Sequence, residues 1–129
     1  MKTISIKTKR RNEMLDITSI VYKTVKESGM KDGVCYVFVP HTTAGITINE
    51  NADEDVKTDI INTLSKLIPY KDDYMHTEGN SDAHVKASLV GNMVTVIVHE
   101  GKLVLGTWQG LFFCEFDGPR NRKIIIKTV

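Results

Sequence analysis

The last third of the chain limits the fold more than any other stretch. From residue 93 onward, apolar β-prone runs follow one another with only short turns between them. Residues 93–98 put Val94, Val96 and Val98 on one face, and His99-Glu100-Gly101-Lys102 has the composition of a tight hairpin turn. Residues 103–105 begin the return strand, and Gly106-Thr107-Trp108-Gln109-Gly110 breaks it. Residues 111–117 and 123–129 read as two more strands, with Asp117-Gly118-Pro119 as the turn between them. Strands joined this closely pair antiparallel, because parallel neighbours need a crossover of a dozen or more residues.

The first two thirds supply the helices. Residues 2–9 alternate, with Ile4 and Ile6 on one side, and predict a half-buried strand. Residues 13–28 carry Met14, Ile17, Val21 and Val25 at helical spacing and end at Gly29, where a C-cap belongs. Lys31-Asp32-Gly33 is a turn. Residues 34–39 form an apolar run that predicts a strand covered on both faces, ended by Pro40. Residues 52–68 predict a second helix with Val56, Ile60, Leu64 and Leu67 inward, capped by Asn49 or Asn51 and stopped by Pro69. Residues 81–90 predict a short helix capped by Asn80 or Ser81, with Val85 and Leu89 inward and Gly91 at its end. The strict β-α-β alternation of a doubly wound fold is absent, as is a glycine-rich nucleotide fingerprint. The expectation is one α+β domain over residues 1–129, a largely antiparallel sheet packed by two longer helices and one short one.

Bulk properties narrow the function. The chain has 129 residues, enough to bury a core, with 41% hydrophobic and 26% charged residues. A net charge of +1 gives no electrostatic case for nucleic acid or anionic membrane. No apolar run approaches the roughly 20 residues that span a bilayer. Residues 1–12 alternate and are polar, unlike a signal or transit peptide. Cys35 and Cys114 lie in apolar strand runs and read as small buried hydrophobes of a reducing compartment, so the expected location is the cytoplasm.

Three stretches hold the chemistry. The first is residues 41–53, with His41, three Thr hydroxyls, Asn49, Asn51, Glu50 and Asp53. Helix capping explains its Asn and Asp residues but not His41 after the proline. The second is residues 76–84, where His76, Glu78 and His84 flank the start of a helix, a place suited to anions. His41, His76 and His84 from three loops could make a zinc or other transition-metal site with an open position, although no HxH or HxxxH pair supports it. The third is Gly106 to Gly110, where the two glycines suggest a bulge or a close approach by a ligand. Trp108 is either a stacking platform with Gln109 reading a ring edge, or a core residue at a bulge. On the next strand Glu115 shares a face with Phe113. If that face lines a pocket, its carboxyl is raised and suits acid/base work. Arg120, Arg122 and Lys123 form a short basic cluster that either clamps phosphate or is solvated.

Taken together, His41-Thr42-Thr43-Ala44-Gly45-Ile46-Thr47-Ile48-Asn49-Glu50-Asn51-Ala52-Asp53, then residues 80–91, then Leu105-Gly106-Thr107-Trp108-Gln109-Gly110 closely resemble the YjbQ family. That family has been labelled secondary thiamine-phosphate synthase. The resemblance covers essentially the whole chain. It implies a single α+β domain assembled as a homotrimer with sites near subunit boundaries. It also implies a weak transferase activity that joins hydroxymethylpyrimidine diphosphate to a thiazole phosphate and releases pyrophosphate. The family's motif positions match at His41, Thr42, Asn49, Asn51, Asp53, His76, Glu78, Gly79, His84, Lys86, Ser88, Trp108, Gln109 and Glu115, with Arg122 at its terminal basic position. Residues 80–82 depart from the family's usual run, which leaves Ser81 and Asp82 without a carried-over role.

Three functions follow as expectations. A transferase would use His41, His84 and Glu115 for catalysis. Thr42, Asn49, Lys86, Ser88, Trp108, Gln109, Arg120 and Arg122 would bind a phosphorylated small molecule, and Mg²⁺ on Asp53 or Glu50 would neutralise the leaving group. A metal-dependent hydrolase or lyase would use His41, His76, His84 and Asp53 as ligands with Glu115 as acid/base. A trimeric binding module would hold a small molecule without turning it over.

Overall fold

A computed structural model describes residues Met1–Val129. The elements are β1 (Lys2–Lys7), β2 (Glu13–Asp16), α1 (Thr18–Ser28), β3 (Gly33–Phe38), β4 (Ala44–Glu50), α2 (Glu54–Leu67), α3 (Ser81–Val90), β5 (Met93–His99), β6 (Lys102–Leu103), β7 (Gln109–Glu115) and β8 (Asn121–Thr128). They form two antiparallel sheets, β1-β8-β3-β5-β6 and β2-β7-β4. The main core lies between the sheets. Val37, Val96, Ile124 and Ile126 face Ile46, Leu111 and Phe113, and Ile17, Val21 and Val25 pack beside them. A second core lies on the other side of the small sheet, where Met14, Phe112, Cys114 and Phe116 meet Ala83 and Ala87 of α3.

Several expectations are met by the backbone. The hairpin after β5 turns on Glu100 and Gly101, both left-handed at φ 51° and 74°, as a two-residue primed turn requires. Gly29 ends α1 in the left-handed region at φ 74°. Val96 and Val98 are buried on one face of β5. No helix is long and apolar enough to cross a membrane.

Other expectations are corrected. Residues 13–28 are not one helix: Met14 is buried as expected, but in a strand opposite Cys114. Asp16 turns the chain by accepting from the Thr18 N–H at 2.9 Å and its hydroxyl at 2.6 Å. The strand covered on both faces is β7, whose residues from Gly110 to Glu115 are all buried. β3 instead alternates, with Cys35 and Val37 inward and Tyr36 38% exposed. In α3 the inward residues are Asp82, Ala83, Lys86 and Ala87, while Val85 and Leu89 are exposed. The helix runs too close to β4 for large side chains: a Cβ on Gly45 would stand 2.6 Å from the Gly91 carbonyl oxygen. α2 buries no residue fully and Leu67 is 72% exposed. Asp53, rather than Asn49 or Asn51, caps it by accepting from the Asp55 N–H at 2.9 Å.

Candidate functional site

Pro40 ends β3, and the chain crosses to the small sheet through His41, Thr42 and Thr43. This crossing faces α3 and encloses a cleft of about 290 Å³ lined by His41, Thr42, Ala44, His84, Ala87, Ser88 and Asn92. Two alanines lie among these lining residues, which keeps the space open. His41 and His84 come together here from residues far apart in sequence. The Ser88 hydroxyl donates to the His84 carbonyl at 2.9 Å. His76 packs edge to face on His84, ring centroids 5.5 Å apart, and its Nε2 stands 3.8 Å from Glu78.

The crossing is held from below by a buried ion pair. Glu115 is fully buried and accepts from Arg122 Nε at 2.8 Å, from the Thr8 hydroxyl at 2.8 Å and from the N–H groups of Phe116 and Asp117. Arg122 Nη2 also donates to Thr43 Oγ1 at 2.8 Å and to the Thr43 carbonyl at 3.4 Å. Burial pushes the Glu115 carboxyl up, but Arg122, Thr8 and the Asp117 N–H outweigh it and hold the group below the ordinary carboxylate value. The expected raised acid is therefore a stably ionised one with its oxygens occupied. The imidazole of His41 lies below its ordinary value, through burial first and the Arg122 charge second.

Other predicted site residues are placed away from the cleft. Lys86 is 1% exposed, with its ammonium near Asn12 Oδ1 at 3.2 Å, Ser65 Oγ at 3.3 Å and Asp82 at 3.6 Å. Burial lowers its pKa, against the opposing pull of Asp82. Arg11 bonds Asp82 at 2.8 Å and Asp117 at 3.1 Å beneath Tyr70. Arg120 bonds Asp117 at 3.0 Å, so it is neither a free phosphate clamp nor simply solvated. Asp117 also accepts from Asn80. No three His, Cys, Asp or Glu side chains converge on a metal-sized point. His41, His76, His84 and Asp53 do not form a ligand set within one chain.

A family comparison adds to this geometry. The family model described as UPF0047 protein YjbQ-like matches residues 2–129. The chain belongs to the UPF0047 family. This UPF0047 chain is 58% identical over 124 residues to a UPF0047 protein of Methanocaldococcus jannaschii, covering 96% of this chain and 90% of that one. It is 52% identical over 130 residues to the UPF0047 protein YugU of Bacillus subtilis, covering 100% and 98%. A crystal structure of an uncharacterized conserved protein of the same family from Clostridium acetobutylicum superposes with a TM-score of 0.99 at 55% identity, over 100% of both chains. A hypothetical protein from Aeropyrum pernix superposes with a TM-score of 0.95 at 33% identity, covering 99% and 96%. None of these names carries a reaction.

In this UPF0047 chain the motif of residues 41–53 has two ends. β4 runs between them, and a seven-residue strand is about 20 Å long. His41 and Thr42 lie at one end. At the other, Glu50, Asn51 and Asp53 line a narrow recess with Asp16, Glu54 and Lys57. Trp108 is 62% exposed, which removes the core reading. The group that closely approaches Gly110 is the Asn51 side chain, at 2.5 Å from where a Cβ would lie, and not a ligand. Gln109 folds back to accept from the Gly106 N–H at 2.8 Å, and Asn49 accepts from the Glu50 N–H. Sequence reasoning missed Thr8, Asn92 and the Lys123 N–H, and it named Thr43 only as one of three hydroxyls in its stretch. Thr8 and Glu115 are 107 residues apart, and no periodicity reports such a pair.

Proposed function

We propose that this chain is a small-molecule transferase of the secondary thiamine-phosphate synthase type, with its diphosphate substrate held in the cleft between His41 and His84. The reaction forms a bond from the thiazole phosphate nitrogen to the pyrimidine methylene carbon, breaks the carbon–oxygen bond to the diphosphate, and releases pyrophosphate. Its main demand is stabilisation of the leaving anion. The observation that supports this reading is the convergence of two imidazoles with Thr42, Ser88 and Asn92 around one small polar cleft. Lys86 and Arg122 are paired inside the protein, so the cleft meets the anion with its hydroxyl, amide and imidazole groups. Mg²⁺ arriving on the diphosphate would supply the remaining charge neutralisation. Glu50 and Asp53 are oxygen donors of the kind Mg²⁺ takes, but they lie at the far end of β4 from this cleft. Assembly as a homotrimer is part of the proposal, with the exposed Val85 and Leu89 on α3 offering apolar surface beside the cleft. So is a cytoplasmic location, which suits two free buried cysteines.

Thiamine phosphate formation with Mg²⁺ present, in the wild type beside His84→Ala, tests the reading. Product that falls at least tenfold in the variant supports it. Equal product in both sinks it. A second reading, a binding module without turnover, is favoured by the sealing of Glu115 away from the cleft. Pyrophosphate binding with no product in either protein would establish that one.

A further inference from the structure

Where β3 stops, a side chain takes over the sheet's hydrogen bonding. β3 and β8 pair with Phe38 opposite Ile125. Two residues further on, this register brings Lys123 opposite Pro40, which lies past the end of the strand. The Lys123 N–H is satisfied instead by His41, donating to Nε2 at 3.0 Å. An imidazole nitrogen that accepts a backbone N–H carries no proton, so the neutral ring holds its hydrogen on Nδ1. Nδ1 has no acceptor among the hydrogen bonds of the chain, and His41 lines the cleft.

The geometry points to His41 as a fixed hydrogen-bond donor to an oxyanion through Nδ1–H, with Arg122 and Glu115 as positioning residues that hold it in that tautomer. This rests on the reading of the cleft as an anion site. Protonating Nε2 would turn it into a donor facing the Lys123 N–H, so the ring cannot gain a proton without parting from β8. It has no second proton to give at neutral pH. His41 is therefore neither the acid nor the base of the cleft. The grip is two-sided. Lys123 holds the ring, and its neighbour Arg122 holds the Thr43 hydroxyl and carbonyl two residues further along. Glu115, itself held by the Thr8 hydroxyl, in turn fixes the guanidinium. Burial first and the Arg122 charge second lower the ring's pKa, against the opposing pull of Glu115. A neutral imidazole kept as a donor is an established way to polarise an oxygen.

Nitrogen-15 NMR of the histidine side chains in the full chain, titrated with inorganic pyrophosphate, tests this. The expected spectrum at neutral pH has a pyridine-like Nε2 and a protonated Nδ1 for His41, with the Nδ1–H signal moving as pyrophosphate is added. An Nε2–H tautomer, or an imidazolium at neutral pH, overturns the inference whatever binds. The expected tautomer with shifts at His84 but none at His41 Nδ1–H overturns the donor role and leaves the cleft reading standing. No shift anywhere in the cleft overturns both. His41→Asn keeps a donor near the Nδ1 position and is expected to bind pyrophosphate within about threefold of wild type, whereas His41→Ala loses about tenfold or more. Equal loss in both variants counts against the donor role. Thr43→Val removes one anchor of Arg122 without removing either charge. It is expected to broaden or split the His41 nitrogen signals in a protein that remains folded, and unchanged signals remove Arg122 as a positioning residue.

Discussion

Lys86 and Asp82 sit one turn apart on the buried face of α3, the ammonium 3.6 Å from the carboxylate oxygen and both side chains almost wholly enclosed. At that separation they attract without a hydrogen bond. Lys86 finds its hydrogen bonds at Asn12 and Ser65, and Asp82 finds its own at Arg11. The lysine thus joins α3 to the chain before β2 and to α2.

Lys86 is consequently expected to matter for folding before it matters for any ligand. Breaking a buried charge pair by removing one partner typically costs about 3–5 kcal/mol. Lys86→Ala should lose an amount of that order in urea unfolding, and Lys86→Met with Asp82→Asn should recover part of it. A fully stable Lys86→Ala that fails only in pyrophosphate binding would place the ammonium in the cleft instead.

Glu115 makes a prediction in pH. Its folded carboxyl lies below the ordinary value, as does that of Asp117, where Asn80 and Arg120 overcome the upward push of burial. A depressed carboxyl contributes stability that is complete above the unfolded value, about pH 4, and is lost as pH falls through the folded one. Thermal unfolding of the wild type should hold level down to about pH 5 and then weaken in acid. Glu115→Gln leaves Arg122 buried without its counter-charge, so it should be destabilised at neutral pH and show a flatter acid limb. An acid limb as steep as in the wild type would place the responsible carboxylates elsewhere.

The two ends of β4 should separate in function. His84→Ala is expected to weaken pyrophosphate binding by about tenfold or more, and Trp108→Ala to change it by less than about twofold. Calorimetry on both variants decides this. A large loss in Trp108→Ala would mean that a second copy of the chain carries its tryptophan to this cleft.

Gly45 tests the close approach of α3 to β4. An added methyl would stand 2.6 Å from the Gly91 carbonyl and 3.2 Å from a Val90 methyl. Backbone cannot yield as a flexible side chain can. Gly45→Ala should therefore cost about 1–3 kcal/mol, as overpacking does, and alter cleft signals from Ala87 and Ser88. Unchanged stability would show that the helix can slide away freely.

Much of the fold was legible because its signals are local. Alternation marked β1 and β5, two adjacent turn residues marked the hairpin after β5, and Gly29 marked the end of α1. Met14, Ile17, Val21 and Val25 were read correctly as buried. Their helical spacing hid a strand, because the stretch 13–16 is too short for its own period to show and pairing with β7 decided it. The same limit applied to α3, where the larger apolar residues Val85 and Leu89 are by size the natural inward pair. Contact with β4 selects the alanines instead.

By itself, then, the chain's order of residues determined most element types, though not the strands β2 and β4, together with the antiparallel arrangement and the stretches in which the polar groups of the site would lie. Tertiary structure alone decided which charges are free. Arg122 and Thr43 are 79 residues apart, and Thr8 and Glu115 are 107 apart. Whether such groups meet depends on sheet register, which is set by the packing of both faces and not by any local pattern. That register turned an expected acid and an expected phosphate clamp into one buried ion pair. It also carried Lys123 past the end of β3, so that its N–H meets the His41 imidazole at the cleft.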